Sequence, residues 1–89
     1  MKETIRYGTT NGYQWVFRFD NGYGASVIKK LGSYGYDNDL FELCTIHFTD
    51  SVDFYELCHI MDEIPSPMGF LTNEQVMQCL QKIKDYKGE

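Results

Sequence analysis

Basic residues are missing from the whole middle of the chain. No lysine or arginine occurs between Leu31 and Gln81. The same stretch carries nine carboxylates, at positions 37, 39, 42, 50, 53, 56, 62, 63 and 74. Because a segment of one negative sign repels phosphate, it argues against direct nucleic-acid binding there. Two interpretations remain: a solvated acidic surface that aids solubility, or an acidic face that docks on a basic partner.

Long apolar runs are also missing. No stretch reaches the roughly 18 apolar residues that a membrane-spanning helix needs, and the first 12 residues lack the apolar core of a secretory signal. Cysteine occurs three times, at Cys44, Cys58 and Cys79. An odd number of cysteines without a signal peptide predicts free thiols in a reducing compartment. We therefore expect a cytosolic protein without a membrane partner.

The motifs of common catalytic and ligand sites are missing as well. The segment "NGYG" fits neither glycine-rich phosphate-binding motif, and no helix pattern follows it. No nucleophile elbow and no clustered Ser-His-Asp set occurs. The cysteines and histidines lack the spacing of a zinc site, and Asp37 to Asp39 match only part of a calcium loop. The sequence therefore predicts no catalytic residue, no cofactor and no metal site.

A folded core is nevertheless expected. The chain is 43% hydrophobic and 16% aromatic, which is too apolar for a disordered chain. Its length predicts a single domain over residues 1–89.

The clearest local pattern is a hairpin. In "YQWVFRF" the aromatic residues alternate with other side chains, which predicts a half-buried strand with "YGASVIKK" as its return strand. Asn21-Gly22 between them predicts a two-residue type I′ turn. In that register Phe19 faces Gly24, Phe17 faces Ser26 and Trp15 faces Ile28, so Gly24 would leave room for the ring of Phe19.

The rest of the chain predicts two more strands and a helix. The strands are "LFELCTIHF" and "FYELCHIM", whereas "DEIPSPMGF" is expected to be irregular because its two prolines lack amide donors. In "LTNEQVMQCLQKIKDYK", Thr72 is the predicted N-cap and Gln75 completes a capping box. The expected core stripe of this helix is formed by Val76, Met77, Leu80 and Ile83.

These elements predict an α+β fold. An antiparallel four-stranded β-sheet meander would be covered on one face by the C-terminal α-helix. Residues 1–9 either add a fifth strand at the edge or stay flexible. Because an open antiparallel sheet leaves unpaired backbone groups, a homodimer through a sheet edge is also expected as an option.

Aromatic side chains flank the carboxylates of the middle segment. Tyrosines stand beside the first acidic loop, and a phenylalanine follows the prolines. Aromatic residues on loops are typical anchors of protein interfaces. The predicted partner-binding residues are Tyr34, Tyr36, Asp37, Asp39, Asp50, Asp53, Asp62, Glu63 and Phe70.

Several segments together resemble a group of small proteins of tailed bacteriophages. They are "FDNGYGASVI", "LFEL", "YELC" and "GFLTNEQVMQCLQKI", within Trp15 to Ile83. The shared motifs are an N-G-Y-G-A-S strand pair and a G-[FY]-L-T helix start. These motifs are structural, so the resemblance implies no catalytic residue. It implies a viral protein made in the cytoplasm of a bacterial host.

The functional expectation combines these observations. We expect a non-enzymatic phage accessory protein that binds and inhibits or modulates a host protein, such as a CRISPR effector, a nuclease or a transcription component. This host protein could itself be a basic nucleic-acid-binding protein. One alternative is a binder or sponge for a signalling nucleotide, with Arg18, Lys29 and Lys30 as the candidate basic residues. The other is a self-associating structural protein.

Overall fold

The fold is described by a computed structural model that covers residues 3–9, 12–51 and 54–87, with the backbone alone at 3–9, 50, 51 and 54. The elements in chain order are β1 (Glu3–Thr9), β2 (Gly12–Arg18), β3 (Tyr23–Lys30), a 3-10 turn (Tyr36–Asn38), β4 (Phe41–Ser51), β5 (Phe54–Leu57), β6 (Met68–Leu71) and α1 (Asn73–Asp85). The predicted α+β class is confirmed: an antiparallel meander with one C-terminal helix against the sheet.

The sheet has six strands, in the order β1-β2-β3-β4-β5, with β6 also paired to β4. The end of β4 pairs with β5, as in Ile46 opposite Leu57, and its start pairs with β6, as in Phe41 opposite Leu71. Strand β6 overlaps the segment "DEIPSPMGF", which the prolines predicted to be irregular. Residues 62–67 are irregular as predicted, whereas the prediction is wrong for residues 68–70. Strand β6 begins directly after Pro67, so each of its residues keeps an amide donor. The homodimer predicted through a sheet edge stays a prediction.

The β2–β3 turn is one residue longer than predicted. Its loop runs from Asp20 to Gly22, with the Phe19 amide donating to the Tyr23 oxygen at 2.9 Å and the Gly22 amide donating to the Phe19 oxygen at 3.2 Å. Within this loop only Gly22 is left-handed, with φ 87°. This is a type I turn followed by a bulge at a left-handed glycine, in place of the predicted type I′ turn.

The longer loop shifts the register of the hairpin by one residue. Trp15 pairs with Val27 in place of Ile28, and Phe17 pairs with Ala25 in place of Ser26. Gly24 therefore lies on the opposite sheet face from the one predicted. An added Cβ there would collide with the main-chain oxygen of Phe17 and lie 2.9 Å from Cε2 of Phe48. Gly24 therefore makes room for the β2 backbone and the Phe48 ring, and not for Phe19.

The helix begins where the sequence predicts. The Thr72 hydroxyl accepts from the Gln75 amide at 3.2 Å, and the Gln75 side-chain oxygen accepts from the Thr72 amide at 2.9 Å. This reciprocal pair satisfies two backbone donors at the helix start, and the predicted capping box is confirmed. Across the described ranges, no helix combines the length and the apolar character needed to cross a membrane.

The buried stripe of α1 differs from the predicted one by one residue. The helix buries Val76, Cys79, Leu80 and Ile83, whereas Met77 is 63% exposed. The reason is where the helix lies, since it packs over β3, β4 and β6. Consequently, Trp15 and Phe17 of β2 are only half-buried, and Tyr13 is exposed.

Candidate functional site

A cleft with a volume of about 670 Å³ lies between the start of β2 and the loop that follows β3. We call it the aromatic cleft. Its lining residues are Gly12, Tyr13, Trp15, Lys29, Tyr36, Asp37, Asp39 and Phe41.

Two strands, β2 and β4, supply the aromatic floor of the cleft, and β3 lies between them. Tyr13 and Trp15 share one face of β2 because side chains alternate along a strand, and their ring centroids are 5.9 Å apart. Phe41 begins β4, and its ring meets Trp15 edge to face at 5.7 Å. This is a favoured aromatic geometry, so the rings stabilise one another while part of their surface stays open to solvent.

The ammonium group of Lys29 lies above this floor. Lys29 pairs with Tyr13 in the register of β2 and β3, and its Nζ is 5.2 Å from the centroid of the Phe41 ring. The same ammonium group forms an ion pair with the carboxylate of Asp39. The only described cation of the cleft is thus already engaged by a carboxylate and a ring face.

A tight turn places the acidic residues on the rim. Gly35 (φ 96°) and Asp39 (φ 62°) both lie in the left-handed region and bracket the 3-10 turn. The turn is closed by the Asp39 amide, which donates to the Tyr36 oxygen at 2.9 Å. The carboxylates of Asp37 and Asp39 stand at the solvent-exposed edge of the aromatic floor as a result.

The described lining residues carry a negative balance of charge. Two carboxylates, Asp37 and Asp39, face one ammonium group, Lys29. Because the described lining of the cleft carries one more carboxylate than ammonium group, the cleft favours a cation over an anion.

Tyr34 and Phe70 lie beside each other outside the cleft lining. The main-chain oxygen of Tyr34 accepts from the Phe70 amide at 3.5 Å, and an added Cβ on Gly35 would lie 3.0 Å from the Phe70 Cα. Both side chains are exposed, by 58% and 57%. Phe70 also has φ 58°, which is rare and strained for a bulky residue.

The remaining predicted site residues are not part of this arrangement. Asp62 and Glu63 are exposed in the turn after β5 and do not line the cleft; the Asp62 carboxylate lies 3.4 Å from Nε2 of His59. Asp50 lies in β4 but its side chain is outside the described set, and Asp53 lies outside the described residues altogether.

The sequence interpretation missed the floor of the cleft. Tyr13 and Trp15 were expected only to pack, Phe41 was one of the aromatic residues that flank the acidic loop, and Lys29 was named only for a nucleotide site. The predicted register would have placed Lys30, and not Lys29, opposite Tyr13. Because one residue of slip moves a side chain to the other sheet face, that error separated Lys29 from the aromatic residues.

An apolar groove continues from the cleft along α1. A second cavity of about 250 Å³ shares Trp15 and Phe41 with the cleft, and a third of about 210 Å³ continues from it past Phe17 and Met77. We call this the helix groove. Its lining residues beyond the cleft are Phe17, Phe19, Val27, Asn73, Val76, Met77, Leu80, Gln81 and Lys84.

The three thiols are free. Burial raises the pKa of Cys44, Cys58 and Cys79, which keeps them protonated and weakly nucleophilic near neutral pH. The Cys58 amide donates to the Thr45 oxygen at 2.9 Å, so Cys58 lies opposite Thr45. Among the residues that the structure describes, no three His, Cys, Asp or Glu side chains are grouped closely enough to hold a metal ion.

Comparison with known proteins gives no relative: no protein-family model, no curated protein and no solved structure matches this chain. The chemistry of the aromatic cleft is therefore the basis for assigning a function.

Proposed function

We propose that this protein is a non-enzymatic phage accessory protein that binds a basic host protein and inhibits or modulates it. The contact surface is the aromatic cleft together with the neighbouring Tyr34 and Phe70. The observation that carries the proposal is the convergence of Tyr36, Asp37 and Asp39 on the exposed ring of Tyr13 and the half-buried ring of Trp15. The phage origin rests on the resemblance of the hairpin and helix-start motifs.

The chemistry of this surface suits a protein partner. Aromatic residues supply contact area at little cost in side-chain entropy, and they are enriched at the centres of interfaces. Carboxylates at the rim attract a basic partner and speed its association. The ion pair of Lys29 with Asp39 offsets part of this rim charge, and no lysine or arginine follows Asp39 in the sequence until Lys82.

The test is a comparison of two charge-neutralised variants in pull-downs from bacterial host lysate. Asp37→Asn with Asp39→Asn removes the rim charge, and asparagine tolerates the left-handed backbone at position 39. Asp62→Asn with Glu63→Gln removes the same charge outside the cleft. We expect partner recovery to fall at least tenfold for the first pair and to be unchanged for the second. Equal recovery by both pairs would contradict the proposal.

A signalling-nucleotide binder is the second candidate, and one observation favours it. Lys29 lies in a cleft with aromatic rings, which is the combination a nucleotide site needs. The other basic candidates do not join it, since the Arg18 guanidinium lies over the Phe48 ring at 5.6 Å and Lys30 does not line the cleft. Thermal-shift measurements with a panel of nucleotides test this candidate, and a stabilisation that Lys29→Gln abolishes would support it.

A further inference from the structure

We propose that the aromatic cleft receives an arginine side chain of the partner, and that the helix groove receives the apolar residues next to that arginine. This inference rests on the proposed function and makes it more specific. The occupant is an exposed peptide segment in which one arginine adjoins apolar side chains.

The floor of the cleft suits a planar cation. The rings of Tyr13, Trp15 and Phe41 form one continuous aromatic cluster, with contacts at 5.9 Å and 5.7 Å. A guanidinium group stacks on aromatic faces and is more weakly hydrated than an ammonium group. The ammonium group of Lys29 over Phe41 already shows that this floor accommodates a cation.

The rim supplies the second half of the recognition. The Asp39 side chain is 84% exposed although it is paired with Lys29, whose side chain is only 28% exposed. Asp37, two residues before Asp39, is also exposed on the same rim. A carboxylate can accept two parallel hydrogen bonds from a guanidinium group, which a lysine ammonium group cannot provide in the same geometry.

The helix groove defines what lies next to the arginine. It starts at Trp15 and Phe41 and runs between β2 and α1. Its described lining is mostly apolar. Met77 is one of the lining residues and is 63% exposed. Methionine adapts its shape to different apolar partners, so the groove suits leucine-like or aromatic side chains of an extended segment.

Trp15 allows a direct measurement, because it is the only tryptophan of the chain and lies in the cleft. The probe is the peptide acetyl-Gly-Arg-Leu-Leu-Gly-amide, titrated while the fluorescence of Trp15 is recorded. The matched peptides carry lysine, or the neutral arginine isostere citrulline, in place of arginine. A fourth titration uses adenosine monophosphate.

We expect a saturable change in Trp15 fluorescence with the arginine peptide. The lysine peptide should bind several-fold more weakly and the citrulline peptide at least about tenfold more weakly, which corresponds to about 1.4 kcal/mol. Asp37→Asn should weaken the arginine peptide about tenfold, as expected for the loss of one charge-assisted contact. Asp62→Asn with Glu63→Gln should leave the affinity unchanged.

Substitution of Lys29 should change the affinities for a cationic and for an anionic ligand in opposite directions. Lys29→Gln frees the Asp39 carboxylate, so the arginine peptide should bind several-fold more tightly. The same substitution would weaken an anionic ligand. Tighter binding of the arginine peptide supports the inference, and weaker binding overturns it.

The failure of this inference is distinguishable from the failure of the proposed function. Equal titrations by the arginine and citrulline peptides would overturn the arginine site, as would saturation by adenosine monophosphate alone. The lysate comparison of the Asp37 and Asp39 variants is independent of these peptides. If partner recovery still depends on these two residues, the proposed function stands without the arginine site.

Discussion

The side-chain amide of Asn21 donates to the main-chain oxygen of Ile83 at 2.8 Å and to that of Tyr86 at 2.9 Å. Its Oδ1 accepts from the Tyr23 amide at 2.9 Å. The last carbonyl groups of a helix have no donor within the helix. Asn21 therefore caps the end of α1 from the β2–β3 turn and joins the first half of the chain to its last turn.

We expect Asn21→Ala to lower the free energy of unfolding by about 2 kcal/mol, because two hydrogen bonds to the helix end are lost. Asn21→Asp should cost at least as much, since it places a negative charge at the negative end of the helix dipole. Urea denaturation measures both. Asn38→Ala, in the exposed 3-10 turn, is the control and should cost less than about 0.5 kcal/mol. A loss for Asn21→Ala no larger than that of the control would show that the cap contributes nothing.

Phe70 combines an exposed ring with a strained backbone. A substitution that suits this backbone should favour stability, whereas loss of the ring should weaken partner binding. Phe70→Asn removes the ring and suits the left-handed backbone, whereas Phe70→Val removes the ring and is strained there. We expect the asparagine variant to be more stable than the valine variant by about 1–2 kcal/mol. Both should recover less partner from lysate than the unchanged protein. Equal stability of the two variants in thermal denaturation would contradict the strain argument.

Thr45 is fully buried, and its hydroxyl has no hydrogen-bond partner among the described groups. Its amide donates separately to Ser66 Oγ at 3.2 Å, so a side-chain substitution leaves that contact in place. We expect Thr45→Val to raise the free energy of unfolding by about 1 kcal/mol, because an unsatisfied polar group leaves the core. Thr45→Ser keeps the hydroxyl and loses the methyl group, and should lower it by about 1 kcal/mol. A destabilised valine variant would mean that the hydroxyl has a partner.

The buried thiols predict how stability depends on pH. Burial raises the pKa of Cys79 above its ordinary value of 9.0, so the folded state holds this proton more strongly than the unfolded chain does. Stability is then complete below the ordinary thiol pKa and falls as the pH rises through the folded pKa. We expect the urea midpoint to fall as the pH rises above about 9, and Cys79→Ala to reduce that slope. The same slope in both proteins would exclude Cys79 as its source.

Sequence reasoning succeeded where the determining contacts are local. The start of α1 depends on Thr72 and Gln75, which are three residues apart, and it was predicted correctly. The length of the β2–β3 turn was predicted wrongly. The Asn21 side chain in that turn also binds carbonyl groups 62 and 65 positions along the chain, so its contacts are not local. No pattern within the hairpin contains that information.

The candidate site also contains some residues that the local sequence points to and others that depend on distant contacts. The composition of the loop after β3 pointed to Tyr34, Tyr36, Asp37 and Asp39, and the last three line one cleft. Their partner binding stays a prediction. Trp15 and Phe41 come from strands separated by β3, so their contact depends on the register of two strand pairs. The exposure of Met77 likewise depends on which strands the helix covers, and the helix pattern alone does not specify that.

The pairing of β4 with both β5 and β6 has a consequence for the order in which the chain can fold during synthesis. The meander from β1 to β4 can form once residue 51 has emerged, because its strands follow one another along the chain. The start of β4 acquires its second neighbour only when Met68–Leu71 is made, and the apolar face around Val27 and Leu43 is covered only when α1 has followed. Until α1 has been made, that face is exposed apolar surface of the kind that aggregates.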